Sequence, residues 1–331
     1  MPRVLVTGCA GFLGSHLTES LLDDGHEVVG VDCFTPYYPR ALKERNTAGF
    51  RDHAHFSLRE LDLSADPLDG LLDGVSTVYH LAAQPGVRLS FGSFDEYLRH
   101  NLHATQRLLE ASVGQPLDAF AYASSSSVYG ATTTFPTPES AERLPVSPYG
   151  ITKLATEELA KTYGRNSGIH TVGLRYFTAY GPRQRPDMAM TRFLTRALLG
   201  ERLPLFGDGL QLRDFTYVAD VVTGTRLAAE RGHAGLSYNI GGGQTTSMLD
   251  VVALLGELLG EPVPVDHLPA SRGDARHTHA DASMAREHLG FAPATTVREG
   301  LSAQLEWLRG EIDTPELVEA CGVGVGVGAR A

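Results

Sequence analysis

Tyr149 and Lys153 stand four residues apart in "SPYGITK" (147–153), and "ASSSSVYG" (123–130) sets four consecutive serines upstream of them. Set in the first turn of a helix, both side chains lie on one face. A free phenol, with a pKa of about 10, is a poor base near neutrality. A neighbouring ammonium, together with a cationic hydride acceptor, stabilises the phenolate and lowers that value. Such a pair can take the proton of an alcohol whose carbon gives up a hydride. Composition singles out the lysine as well. Of the 28 Lys and Arg residues, only Lys43, Lys153 and Lys161 are lysine. Arginine serves on most surfaces but not where a compact ammonium is needed. Lys153 reads as functional, and the other two as incidental.

A departing hydride needs an acceptor. "TGCAGFLG" (7–14) has glycines at 8, 11 and 14, between a β-rich run, "RVLVTG", and a helix-patterned stretch. Gly8 permits the sharp turn, Gly11 lets backbone approach a diphosphate, and Gly14 lets the helix pack closely on the strand. With Phe12 and Leu13 they form the expected contact, the diphosphate resting on the helix N-terminus. The next run, "HEVVGVD", ends at Asp32, 18 residues past Gly14. A carboxylate there accepts both ribose hydroxyls and repels a 2′-phosphate, so the cofactor is expected to be NAD rather than NADP. Asp62, in "LDLS", is placed near the adenine.

These residues need a scaffold. Strands are expected at 55–61, 76–81, 118–124 and 169–176, with helices at 95–113 and 149–164. The alternation predicts an α/β protein with a Rossmann, doubly wound parallel sheet and right-handed crossovers. After about residue 177, Pro and Gly recur, pointing to a smaller mixed α/β substrate lobe. The expected division is 1–176 for the dinucleotide domain, with 214–245 returning to it through the strand-like "LSYNIGG". Residues 177–213 and 246–311 form the second lobe, and 312–331 a flexible tail.

Bulk properties narrow the class. The chain has 331 residues, 42% hydrophobic and 20% charged, as in a globular protein of one or two domains. A net charge of −11 argues against a nucleic-acid partner. No apolar run spans a membrane, and "MPRVLVTG" lacks the layout of a secretory signal. Cys9, Cys33 and Cys321 show no metal spacing and fit a reducing compartment, so the expectation is cytoplasmic, with no metal.

Taken in order, "TGCAGFLG", "HLAAQPGVRLS" (80–90), Asn101, "SSSSVYG", Tyr149/Lys153, "RYFTAYGPRQRPDMAM" (175–190) and "RDFTYVAD" (213–220) resemble the extended short-chain dehydrogenase/reductase family. The likeness is to its nucleotide-sugar epimerases and dehydratases, over roughly residues 3–310. It implies a tightly held NAD, a nucleotide-sugar substrate and a homodimer built on the helices at 95–113 and 149–164. It implies that Leu81, Ala82, Ala83 and Tyr176 line the cofactor, Asn101 supports it, and Phe177 flanks the nicotinamide. Arg213 and Arg272 would clamp the diphosphate, with Val87 and Arg88 at the sugar and Met190 and Arg192 at the uracil.

By the same resemblance Ser125 bridges the tyrosine and the sugar O4. The two positions after it decide the chemistry. Related 4,6-dehydratases carry Asp and Glu there, and UDP-glucuronate decarboxylases carry Glu. Ser126 and Ser127 cannot move protons as a carboxyl does. What remains is C4 epimerisation through Tyr149, Ser125, Lys153 and NAD. Thr178 and Arg185, with the serines, resemble the carboxylate-holding set of UDP-glucuronate 4-epimerases. The expected reaction converts UDP-glucuronate to UDP-galacturonate through a 4-keto sugar. An epimerase of UDP-glucose or UDP-N-acetylglucosamine, a UDP-glucuronate decarboxylase and a non-catalytic NAD-sensing scaffold stay open as alternatives.

Overall fold

The computed structural model describes residues 1–269 and 275–323. Strands β1 (Arg3–Thr7), β2 (Glu27–Asp32), β3 (Phe56–Glu60), β4 (Val75–His80), β5 (Ala119–Ser125) and β6 (Thr171–Tyr176) build the first half, all paired in parallel. Helices α1 (Phe12–Asp23), α2 (Arg40–Thr47), α3 (Phe94–Tyr97), α4 (Ala104–Ser112) and α5 (Pro148–Ser167) lie among their connections. Strands such as "RVLVT" and "EVVGVD" are β-branched and almost continuously apolar, as burial on both faces of a parallel sheet requires.

The second half holds β7 (Thr178–Tyr180), α6 (Ala189–Leu198), β8 (Leu203–Phe206), β9 (Leu212–Tyr217), α7 (Val218–Arg231) and β10 (Ser237–Ile240). It continues with β11 (Thr245–Ser247), α8 (Met248–Leu259), β12 (Val265–Leu268), α9 (Ser283–Leu289), α10 (Val297–Glu311) and α11 (Pro315–Ala320). The main sheet has seven strands in the order β10-β6-β5-β4-β1-β2-β3, a Rossmann-like α/β fold. Strand β10 pairs in parallel with β6, although the chain has by then passed through β7, β8 and β9. Two small sheets, β11-β9-β7 and β12-β8, lie outside it.

Two elements differ from the sequence expectation. The helix expected over 95–113 is broken by a π-helical stretch, Leu98–His103, between α3 and α4. Here the Asn101 carbonyl accepts from the hydroxyls of Thr105 at 2.6 Å and Thr156 at 3.2 Å. Side-chain donors thus hold a carbonyl where the i→i−4 ladder is interrupted. The start of the expected flexible tail forms α11, and Leu317 and Cys321 are buried in the second core beside Leu301, Leu305 and Leu308. Pro315 at the helix start and apolar residues four apart account for it.

Helix α5 is fixed at both ends. The Ser147 side chain accepts from the Gly150 N–H at 3.1 Å, Pro148 takes the first turn, and Gly168 closes the helix at φ 72°. Tyr149 and Lys153 are thereby set in its first turns.

Candidate active site

One cleft of ≈ 440 Å3 opens along the C-terminal ends of β1, β2, β4, β5 and β6. At one end Gly8, Gly11, Phe12, Leu13, Gly14, Asp32 and Asp62 line it, with Leu81, Ala82 and Ala83 alongside. Gly8 has φ +73°, and a Cβ on Gly14 would fall 2.0 Å from the Gly8 carbonyl oxygen. Gly11, the N-cap of α1, makes no side-chain cap, so the first N–H groups of that helix have no side chain across them. Asp32 accepts the N–H groups of Ala10 at 3.2 Å and Phe34 at 2.8 Å, which orients the carboxylate and leaves it further lone pairs. Bare backbone, an uncapped helix and an oriented acid fit a dinucleotide.

At the other end are Ser125, Ser126, Ser127, Tyr149, Lys153, Tyr176, Phe177, Thr178 and Arg185. The serine tract is no linker: it ends β5 and opens a 3-10 turn over Ser126–Val128. Strand alternation sends neighbouring serines to different work. Ser124 donates to buried Glu157 at 2.5 Å, while Ser125 accepts the Ser127 N–H at 3.1 Å and hydrogen-bonds the Tyr149 phenol.

Lys153 donates to the Ala123 carbonyl at 2.9 Å, and burial pushes its pKa down to about 8. Burial raises the Tyr149 pKa, against the Ser125 hydrogen bond and the Arg185 charge, which pull it down. The sequence reading had the ammonium and the cationic nicotinamide together lowering the phenol. In the chain by itself burial outweighs the groups that act the other way.

Behind the serines lies a buried ion pair. Arg175 donates to Glu157 through Nε and Nη2, each at 2.8 Å, and through Nη1 to the Tyr129 hydroxyl at 2.8 Å. Burial raises the Glu157 pKa, but hydrogen bonds and charge from Arg175 and the Ser124 hydroxyl hold it below its ordinary value. Glu157→Ala leaves the guanidinium buried and unpaired and is expected to cost about 3–5 kcal/mol in urea unfolding. A loss within the error of that measurement would show that the pair is dispensable.

A second cavity of ≈ 500 Å3 adjoins the cleft, sharing Tyr37, Gly86, Val87 and Thr178 with it. Arg88, Arg192 and Arg213 line this part, and Arg88 lies over the Phe206 ring at 4.4 Å. Two expected residues fall elsewhere. Met190 is buried in the second core with Phe193 and Leu194, since the helical period of α6 turns it away from Arg192. Asn101 does not line the cleft. Its side chain accepts the Gln84 N–H at 2.7 Å and donates to the Gln84 carbonyl and the Thr152 hydroxyl, bracing the loop after β4. Arg272 lies outside the described residues.

The sequence reading passed over Lys43. Its amine donates to the Thr35 carbonyl at 2.9 Å and lies over the Tyr38 ring at 4.9 Å, and the residue lines the cleft near Asp32. The scarcity of lysine was the available signal. His80 was passed over too. It is buried between the hydroxyls of Thr7 and Thr105 at 2.8 and 2.9 Å, and burial, with Lys153 nearby, lowers its pKa to about 3. A neutral ring there ties β1 to the Asn101 turn. Cys33, Asp62 and His100 bring possible metal-ligand atoms within 4.8 Å of one another. Asp62 is already engaged by Ser64 and Arg99, so no metal is assigned.

The family model described as "NAD dependent epimerase/dehydratase family" matches residues 4–241, from β1 past the end of β10. The chain belongs to that family. Within the family it is 42% identical over 309 residues to an uncharacterized UDP-glucose epimerase of Bacillus subtilis, covering 92% of this chain and 98% of that protein. It is 36% identical over 328 residues to UDP-glucuronate 4-epimerase 3 of Arabidopsis thaliana, covering 93% of this chain and 76% of the relative. Among solved structures, the UDP-glucuronic acid 4-epimerase of Bacillus cereus, in complex with UDP-glucuronic acid and NAD, aligns at 40% identity and TM-score 0.91. That alignment covers 93% of this chain and 99% of the other.

Proposed function

We propose that this chain is an NAD-dependent isomerase that epimerises UDP-glucuronate to UDP-galacturonate at C4. One observation carries the choice of reaction. The acids lining the cleft are Asp32 and Asp62, both at the dinucleotide end, while the sugar end offers hydroxyls, Lys153 and Arg185, and Asp187 of the adjoining cavity is taken up by Arg185 and Tyr37. Elimination of water needs an acid and a base near C5 and C6, and that equipment is missing there. The uronate is favoured by Arg185, a guanidinium that suits a C6 carboxylate, and by the similarity to the Bacillus cereus enzyme.

Bound NAD supplies a reversible acceptor for the C4 hydride and a positive charge in the cleft. Tyr149 takes the O4 proton, with Ser125 bonded to its phenol as the bridge to the sugar. Lys153 holds the end of β5 through Ala123 and keeps an ammonium near the phenol. Arg88, Arg192 and Arg213 anchor the nucleotide while the 4-keto sugar turns over, and Arg272 is proposed as a further clamp. Thr178 and Ser126–Ser127 complete the sugar pocket.

The test is incubation of purified protein with UDP-glucuronate, followed by chromatography and proton NMR. UDP-galacturonate at unchanged mass is expected. Loss of 44 mass units as CO2 would replace the reading by decarboxylation. Arg185→Met is expected to lower kcat/KM for the uronate by about 10²-fold, the worth of a charge-assisted fork, and to spare UDP-glucose. Equal activity on both sugars in the wild type would restore the neutral-sugar reading.

We also infer a cytoplasmic homodimer. Leu89, Phe91, Phe94, Leu98 and Ile151 are exposed near the contact of α3 with α5, an apolar face suited to a second copy. Gel filtration is expected at twice the monomer mass, and elution as a monomer would remove this inference. Among the described residues no helix is long and apolar enough to cross a membrane.

A further inference from the structure

Arg185 is gripped before any sugar arrives. Its Nε and Nη2 donate to the two carboxylate oxygens of Asp187 at 2.9 and 3.0 Å, using one edge of the guanidinium. Tyr37 Oη donates to Asp187 Oδ2 at 3.1 Å, and the Tyr37 ring lies 5.7 Å from Arg185 Cζ. Tyr37 comes from the loop after β2, and the other two come from the loop after β7. The cluster therefore ties the dinucleotide half of the cleft to the sugar half.

The loop after β7 is held on its other sides as well. Arg183, at φ 61°, forks onto Glu19 of α1 at 2.7 and 2.9 Å. Gln184 is buried against Thr191 and Gln304. Arg185 thus has a fixed root and a fixed outer edge. No hydrogen bond from its Nη1 is found among the described residues, which leaves that edge for a ligand.

We propose that Asp187 is a positioning residue for the uronate. By holding the Nε/Nη2 edge of Arg185, it directs the Nη1 edge at the C6 carboxylate and keeps C6 from swinging out of place. This rests on the UDP-glucuronate reading above.

The consequence lies in the 4-keto sugar, a β-keto acid. When C6 is free to swing with the pucker of the ring, the C5–C6 bond can stand perpendicular to the C4 carbonyl plane. That bond then breaks, its electron pair enters the C5–C4–O system as an enolate, and CO2 leaves. C5 takes a proton from water. The keto-pentose recovers hydride from the reduced cofactor to give a UDP-pentose, or departs and leaves that cofactor reduced. A guanidinium with one edge clamped holds C6 in place against that swing, and a wagging one does not.

Charge alone predicts something different. Without Asp187 the Arg185 charge is uncompensated, so the anionic uronate binds at least as well. Position and charge are therefore read separately, in the products and in KM.

The experiment compares wild type, Asp187→Ala and Asp187→Asn on UDP-glucuronate, measuring UDP-galacturonate, UDP-pentose, CO2 and retained reduced cofactor. Inhibition by UDP checks the nucleotide site. Both variants are expected to raise the ratio of decarboxylated to epimerised product roughly tenfold, the worth of a hydrogen bond to a charged group. KM is expected to stay level or fall, with UDP inhibition unchanged. An unchanged product ratio in a variant that still binds UDP overturns the proposal. Should Asp187→Ala fail to bind UDP, the isosteric Asp187→Asn decides alone by the same ratio. A wild type that neither epimerises nor decarboxylates UDP-glucuronate overturns the functional reading itself. Epimerisation by wild type with unchanged ratios in the variants overturns only the role of Asp187.

Discussion

Tyr149→Phe is expected to lower kcat by about 10²–10⁴-fold, the usual contribution of a positioned proton-transfer group. The substitution is clean because the ring already packs edge-on against Tyr97, at a centroid distance of 6.2 Å and an angle of 76°. Phenylalanine keeps that contact and removes only the hydroxyl bonded to Ser125. Thermal stability and UDP affinity should therefore stay near wild type. A fall in kcat of less than about tenfold would move the proton transfer to Ser125 or to water. A large fall in stability would mean that the hydroxyl is structural.

Lys153→Met is expected to act in opposite directions on activity and stability. Turnover should fall about 10²–10³-fold, since the charge that favours phenolate is gone. The folded-state pKa of about 8 lies below the ordinary 10.5 because burial penalises the ammonium. Between those two values the unfolded chain keeps a proton that the folded chain has lost, so the stability contribution of Lys153 rises with pH through that window. Below about pH 8 both states hold the proton, and the folded state carries the whole penalty, roughly 3 kcal/mol. The hydrogen bond to Ala123 offsets about 1 kcal/mol of it. Cofactor-free Lys153→Met should thus be ~1–2 kcal/mol more stable than wild type at pH 7, by urea unfolding. The gap should shrink as pH rises toward 10.5. A variant less stable than wild type at pH 7 would show that the methionine packs badly or that the ammonium is solvated.

What the sequence made legible follows from locality. The glycine turn, Asp32 and the Tyr149–Lys153 pair each depend on a few residues in one element, and spacing alone carries them. Met190 and Leu317 were legible too, through helical period, but a family expectation overrode the period at 190 and glycine-rich neighbours hid it at 317. The contacts of Asp187, Lys43 and His80 were not legible in that way. Tyr37 meets Asp187 across 150 positions, and His80 meets Thr7 across 73. Such pairs exist only after the sheet order has been set. The burial that raises the Tyr149 pKa was not legible for a related reason: proximity follows from spacing, but burial does not.

The sheet order also bears on how the molecule comes to be made. Strand β10 is the edge partner of β6, yet it emerges during synthesis more than sixty residues later, after α6 and α7. Until then β6 shows an open row of backbone donors and acceptors, a template for pairing with other chains. A nascent chain halted near residue 176 is therefore a sticky fragment rather than a finished half. Closure waits for a contact distant in sequence, which slows folding and lengthens exposure to aggregation. Separating the dinucleotide half from the sugar half for expression would require carrying residues 237–240 along, spliced behind β6 through a new linker.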